Sequence, residues 1–162
     1  MGLRTEKRRR RENKTDYKLR KGLLESKLPR IVIRVTNKYF IVQIVESLEG
    51  QDKVIQGVTS RDLLSKGWDK KHIGSLKSIP VGYLSGLLLA NKIKNKNQEY
   101  LVDLGMIRTI SGNRAFSVVK GLIDGGVKIN AKDSIFPKKE RLNGEHLKPE
   151  VRKLISEVKK KL

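Results

Sequence analysis

Apolar positions fall into period-two runs in the first third of the chain and into a 3.6-residue rhythm further on. Arg30-Ile31-Val32-Ile33-Arg34-Val35 and Tyr39-Phe40-Ile41-Val42-Gln43-Ile44-Val45 are rich in β-branched and aromatic residues, and only Thr36-Asn37-Lys38 separates them. They predict a hairpin, with Asn37 supplying the left-handed conformation of a tight turn. Alternation places Ile31, Ile33 and Val35 on one face and Arg30, Val32 and Arg34 on the other, so Arg34 stands outward beside the turn. A polar loop at residues 49–52 leads into a third strand over 53–59, which makes an antiparallel start.

Helical spacing begins after Pro80, whose ring suits the first turn of a helix that Ser78 is placed to cap. Val81, Leu84, Leu87 and Leu88 keep the rhythm to about residue 94, while Gly82 and Gly86, four apart, predict close approach to a sheet. Tyr100-Leu101-Val102-Asp103-Leu104 is almost continuously apolar, as in a strand buried on both faces, and the helix before it implies a crossover to a parallel pair. A loop with two glycines opens a second amphipathic helix, Arg114 to Asp124, closed by Gly125-Gly126. Val127-Lys128-Ile129 predicts a last short strand. Ser60 to Trp68 reads as a helical turn, and Trp68 as a core or rim anchor. The fold class is α/β: a mixed β-sheet packed with helices in the order βββ-α-β-α-β, a ribonuclease H-like motif.

Charge changes the picture at both ends. Residues 1–21 hold ten Lys or Arg against three acids, including Arg8-Arg9-Arg10-Arg11, and the whole 162-residue chain carries +20. Such a block cannot enter an apolar core, because each unpaired buried guanidinium costs several kcal/mol. Arginine grips phosphate oxygens bidentately, and Tyr17 and Asn13 within the run offer a stacking face and a base-edge reader. A solvated basic run or a nuclear-localisation signal is the bland alternative. Residues 137–162 carry nine Lys or Arg against four Glu, and Val151, Leu154, Ile155, Val158 and Leu162 share one helical face after Pro149. The organisation expected is a basic RNA-binding arm over 1–27, a globular domain over 28–131 and a basic tail with an amphipathic helix over 132–162. The arm should stay disordered up to about residue 14 until RNA binds, and a helix over about 15–25 should be capped by Thr15.

Groups for catalysis are scarce. The chain has no cysteine, and its two histidines, His72 and His146, lack ligand spacing. No phosphate-binding loop or nucleophile elbow occurs. Asp103 and Asp124 are the pair that a two-metal nuclease would draw on, but such sites gather several carboxylates at strand ends. The reading is no enzyme, no metal and no cofactor. No apolar run nears the roughly 20 residues that span a bilayer, and no secretory leader is recognisable, so neither a membrane nor a small-molecule substrate is expected.

Several segments taken together resemble the archaeal and eukaryotic branch of the large-subunit ribosomal protein L-eighteen family. They are Arg8-Arg9-Arg10-Arg11-Glu12 with Lys14-Thr15-Asp16-Tyr17, Lys27-Leu28-Pro29-Arg30, Thr36-Asn37-Lys38, Ser60-Arg61-Asp62-Leu63 with Gly67-Trp68, Pro80 to Leu88, Leu101 to Gly105, and Ser111 to Phe116. After residue 131 the chain departs from the family pattern, so nothing is carried over there. The resemblance implies a structural protein of the large ribosomal subunit that joins 5S rRNA to 23S-type rRNA in the central protuberance, beside a neighbouring 5S-binding protein. It implies RNA contacts at Arg8, Arg9, Arg10, Arg11, Asn13, Lys14, Thr15, Asp16, Tyr17, Arg20 and Lys21 in the arm. Arg34, Thr36, Asn37 and Lys38 at the hairpin form a second set, and Ser111, Gly112, Asn113 and Arg114 a third. The alternatives are a metal-dependent nuclease on a ribonuclease H-like sheet and a non-ribosomal nucleic-acid-binding module.

Overall fold

The computed structural model describes residues 5–162; the first four positions of the predicted arm, Arg4 among them, lie outside the described residues. Strands β1 (Arg30–Val35), β2 (Phe40–Leu48) and β3 (Gln51–Thr59) form an antiparallel meander. After helix α3 (Ile79–Lys92) the chain returns in strand β4 (Leu101–Asp103), parallel to β1, which gives the strand order β3-β2-β1-β4. Helix α4 (Arg114–Asp124) packs beside α3, and both cover the face that carries Ile31, Ile33, Phe40, Val42, Ile44 and Val58. The mixed sheet, its parallel pair and both long helices are as the hydrophobic pattern predicts. The last strand is not: residues 127–129 make one parallel bridge, Lys128 to Glu99. The Lys128 N–H donates to the Lys96 carbonyl in the loop before β4, so the pairing runs no further.

The paired glycines bring α3 first of all against α4: a Cβ on Gly82 would collide with the Ser117 hydroxyl, and it would also crowd the Phe40 ring of β2 at 3.1 Å. A Cβ on Gly86 would collide with the Val118 carbonyl, and one on Gly121 with the Tyr83 carbonyl, so α3 and α4 touch backbone to backbone. Tyr83 pins the same contact, its hydroxyl donating to Asp124 Oδ2 at 3.0 Å. Burial, that hydrogen bond and the Asp124 charge push the phenol up to about 12. Ser78 occupies the N-cap of α3 but makes no capping bond, and its hydroxyl is buried without a partner, contrary to the predicted cap. Trp68 is a core residue at 2 % exposure, donating from its ring nitrogen to the His72 carbonyl at 3.2 Å.

Beyond residue 131 the chain adds the short helix α5 (Lys139–Leu142) and helix α6 (Pro149–Lys160). Leu142, Val151, Ile155 and Val158 enter the same core as the sheet and α3, so the amphipathic face predicted there is covered by the chain itself. Lys159 stands 5.1 Å from the centre of the Tyr83 ring.

Candidate nucleic-acid interface

The arm is a folded strap. Helix α1 is the single turn Arg8–Arg11, and Asn13, at φ +50°, reverses the chain so that Lys14 and Thr15 donate their N–H groups back to the Arg9 carbonyl. Asparagine tolerates that left-handed conformation better than most residues. Helix α2 (Tyr17–Glu25) follows, and its N-cap is Asp16, which accepts from Lys18 N at 3.0 Å and Leu19 N at 3.2 Å. Thr15 is not the cap; its hydroxyl accepts from Arg9 Nε at 2.9 Å. The Leu19 and Lys18 amides, with Arg10 close by, hold the Asp16 carboxyl below the usual range despite some burial.

The strap is held to itself by weak, exposed pairs: Arg8 to Glu12 at 3.7 Å, Lys14 to Glu12 at 2.7 Å, Arg10 to Asp16 at 3.2 Å and Lys21 to Glu25 at 3.5 Å. Each is worth at most about 1 kcal/mol in water. Arg11 and Lys18 form no salt bridge among the described residues, and the ammonium of Lys7 lies 4.8 Å from the Tyr17 ring centre. Phosphate oxygens can therefore replace the strap's internal acceptors at little cost. Tyr17, 37 % exposed, offers a ring face beside that charge.

Behind the strap lies the sheet face opposite α3 and α4, and it carries a chain of alternating charge. Arg20 on α2 meets Asp52 at 2.9 Å, and Asp52 meets Arg30 at 2.8 Å. Arg30 meets Asp103 at 3.2 Å, and Asp103 meets Arg34 at 3.1 Å. Ser47 accepts from Arg30 at 2.8 Å and donates to Asp52 at 2.6 Å. Burial alone would raise the Asp52 pKa, yet the hydrogen bonds from Ser47 and Arg20 and the charges of Arg30 and Arg20 outweigh it and hold the carboxyl low. Sequence reasoning passed over Arg30, which is 1 % exposed, and Asp52. The available signal was an arginine inside a strand whose parallel partner strand ends on an aspartate, with Val32 in register with Asp103.

Arg34 does not stand free beside the turn. Its guanidinium folds back to donate to the carbonyls of Ile33 at 2.9 Å and Asp103 at 2.8 Å, and it lies against Gly105, where a Cβ would come within 3.0 Å of Arg34 Cζ. Together the strap and this face form one cleft lined by Arg9, Lys14, Arg20 and Arg34, with Leu19, Leu23 and Met106 as its apolar part.

At the β1–β2 turn Asn37 is not left-handed, since the only non-glycine residues with positive φ are Asn13, Lys27 and Glu49 among those described. Thr36 makes the turn instead. Its hydroxyl accepts from Lys38 N and Tyr39 N at 3.3 and 2.9 Å, and donates to the Tyr39 carbonyl at 2.7 Å. Asn37 and Lys38 are left exposed, and the guanidinium of Arg61 stands 5.9 Å from the Tyr39 ring beside them.

The third set is mostly occupied with structure. Ser111 donates to the Ser134 carbonyl at 2.7 Å, Gly112 N to the Ile135 carbonyl at 2.9 Å, and Asn113 caps α4 while donating to the Arg108 carbonyl at 2.8 Å. Arg114 remains exposed at the head of α4. The two aspartates of the nuclease alternative serve separate networks, Asp103 with Arg30 and Arg34, Asp124 with Tyr83 and Lys120.

A family model described as ribosomal large subunit proteins 60S L5 and 50S L18 matches residues 2–100. Large ribosomal subunit protein uL18 of Methanoregula boonei is 40% identical over 141 residues, which covers 86% of this chain and 79% of that protein. Its counterpart in Korarchaeum cryptofilum is 38% identical over 151 residues, covering 93% and 75%. That of Methanoculleus marisnigri is 41% identical over 142 residues, covering 86% and 78%. A basic strap laid over a mixed sheet, matched by the family model through β3 and α3 and by these relatives over most of its length, belongs to the family of ribosomal large subunit proteins 60S L5 and 50S L18.

Proposed function

We propose that this protein binds 5S rRNA through the strap and the exposed β1–β2 turn, and holds it to 23S-type rRNA in the central protuberance of the large subunit, next to another 5S-binding protein. The coarser part follows from the family: the chain is a ribosomal structural protein, and its place is the large subunit of the cytoplasmic ribosome. The finer part is supported chiefly by one observation, that the strap's arginines are folded yet held only by exposed pairs. Weak internal acceptors yield to phosphate, and a turn that these exposed pairs leave marginal is fixed when phosphates occupy its arginines. Arg8, Arg9, Arg10, Arg11, Lys14 and Lys21 are the phosphate contacts in this reading, with Tyr17 stacking and Asn37 and Lys38 at the second contact. Asp16 and Thr36 act by holding those groups in place, whereas Ser111, Gly112 and Asn113 hold the loop at the head of α4.

The test is the salt dependence of binding to 5S rRNA. If about six phosphates are neutralised, log K falls against log salt with a slope of roughly −4 to −5. Replacing Arg8, Arg9, Arg10 and Arg11 with Ala flattens the slope by about three units, at 0.7 to 0.9 per lost contact. An unchanged slope removes the strap from the interface.

A further inference from the structure

On a chain of charge +20, the far half of the β2–β3 hairpin is the exception. Residues 44–56 carry Glu46, Glu49 and Asp52 against the single cation Lys53. Asp52 is neutralised by Arg20 and Arg30, whereas Glu46 and Glu49 form no salt bridge among the described residues. The same stretch exposes its apolar side chains: Leu48 is 77 % exposed and Ile55 51 %. Glu46 and Leu48 alternate onto the face of β2 that also carries the buried Ile44. There Ile44, Ile55, Ile93 and Tyr100 line a groove with Glu46, and Lys94 is its one cation. Glu46 lies near enough for its charge, after burial, to help raise the Tyr100 pKa.

We propose that this groove and hairpin end are a docking surface for an extended, lysine- or arginine-bearing segment of a neighbouring protein. The inference rests on the ribosomal reading above. RNA does not suit the surface, because the carboxylates of Glu46 and Glu49, which form no salt bridge among the described residues, repel phosphate. A basic segment suits it on both counts, placing ammonium or guanidinium on Glu46 and Glu49 and apolar side chains against Leu48 and Ile55. Simple strand addition to the sheet edge is a poorer match. Val54 and Gln56 pair with Val45 and Ile44, so Ile55 is a bulged residue that interrupts the edge of β3 and tips its side chain aside.

The experiment places the photo-crosslinking residue p-benzoylphenylalanine at Leu48 in one full-length chain and at Lys18 in another. Both are assembled into large subunits and irradiated, and the adducts are sequenced. An rRNA adduct at Lys18 reports the ribosomal reading; its absence removes that reading and this inference with it. With that adduct present, the surface is supported by a Leu48 adduct to a Lys- or Arg-rich protein segment. It is overturned by an adduct to rRNA, an adduct to a second copy of the chain, or no adduct at Leu48. Adding Glu46→Lys to the Leu48 chain should lower the protein adduct about tenfold, and Glu46→Gln should lower it less. An unchanged yield in Glu46→Lys overturns the basic character of the partner.

Discussion

A guanidinium is among the costliest groups to take out of water, yet Arg30 is almost fully buried in the second strand of the sheet from its edge. It is tolerable because Asp103, Asp52 and Ser47 satisfy it from three sides. Asp103→Asn keeps the shape and deletes one charge, leaving Arg30 undercompensated beside Arg34; the expected loss is about 3 kcal/mol of stability, within the range for breaking a buried pair. Urea unfolding measures it, and the double change Arg30→Met with Asp103→Asn should recover most of the loss. If the double variant is no better than the single, the network is not what Asp103 serves. At the β1–β2 turn the residue scale separates two jobs. Thr36→Val removes the turn's hydroxyl and should cost about 1 to 2 kcal/mol, whereas Asn37→Ala, with ordinary backbone angles, should cost under about 0.5 kcal/mol and still weaken 5S rRNA binding. Intact RNA affinity in Asn37→Ala would remove that amide from the interface.

At the scale of elements, packing of α3 on α4 is held by small residues and one polar pin, and the pin titrates. The folded Tyr83 phenol is raised to about 12, above the value of about 10 for an unfolded tyrosine. The folded state therefore holds this proton more tightly, so the stabilisation is complete below pH 10 and is lost as pH rises towards 12. Tyr83→Phe should be about 1 kcal/mol less stable than the native chain at pH 7, with the gap narrowing in urea unfolding at pH 10 to 11.5. A gap independent of pH would mean that the folded state holds the phenol's proton no more tightly than the unfolded chain does. Much at this scale is legible in the sequence. The β-branched runs announce β1 and β2, Pro80 the start of α3, and Gly125 the end of α4, because each is a local steric statement. What is not legible is long-range. Gly82 and Gly86 say that something comes close without saying that it is α4. Nor does alternation around Arg30 say that the strap will close over that face. The cap of α2 falls between, since Thr15 and Asp16 both fit and only the Arg9 contact, six residues back, decides it.

For the whole molecule, charge settles what stability alone would not. The strap shares a cleft with Arg34 and Asp103 on the sheet face opposite the α3–α4 layer, and the bond from Arg20 to Asp52 is the ion pair that ties α2 to the sheet among the described residues. Arg8 to Arg11 expose no buried side chain to that face, so their order rests on local hydrogen bonds and on pairs that salt weakens. Ordering a residue's backbone costs about 1 to 2 kcal/mol, more than such pairs return, so the turn should open readily in the free protein. Brief trypsin treatment is therefore expected to cut first after Arg8 to Arg11 and to leave a core beginning near Lys14 to Lys21. Beyond that point Asp16 caps α2 and Arg20 anchors it. Bound 5S rRNA should protect the strap, because phosphates occupy the arginines and fix the turn, and an unrelated RNA of equal length should protect it less at moderate salt. A strap equally resistant with and without RNA would show that its local bonds suffice to order it. Equal protection by both RNAs would leave it a charge anchor, with discrimination passed to the exposed Asn37 and Lys38 at the far end of β1.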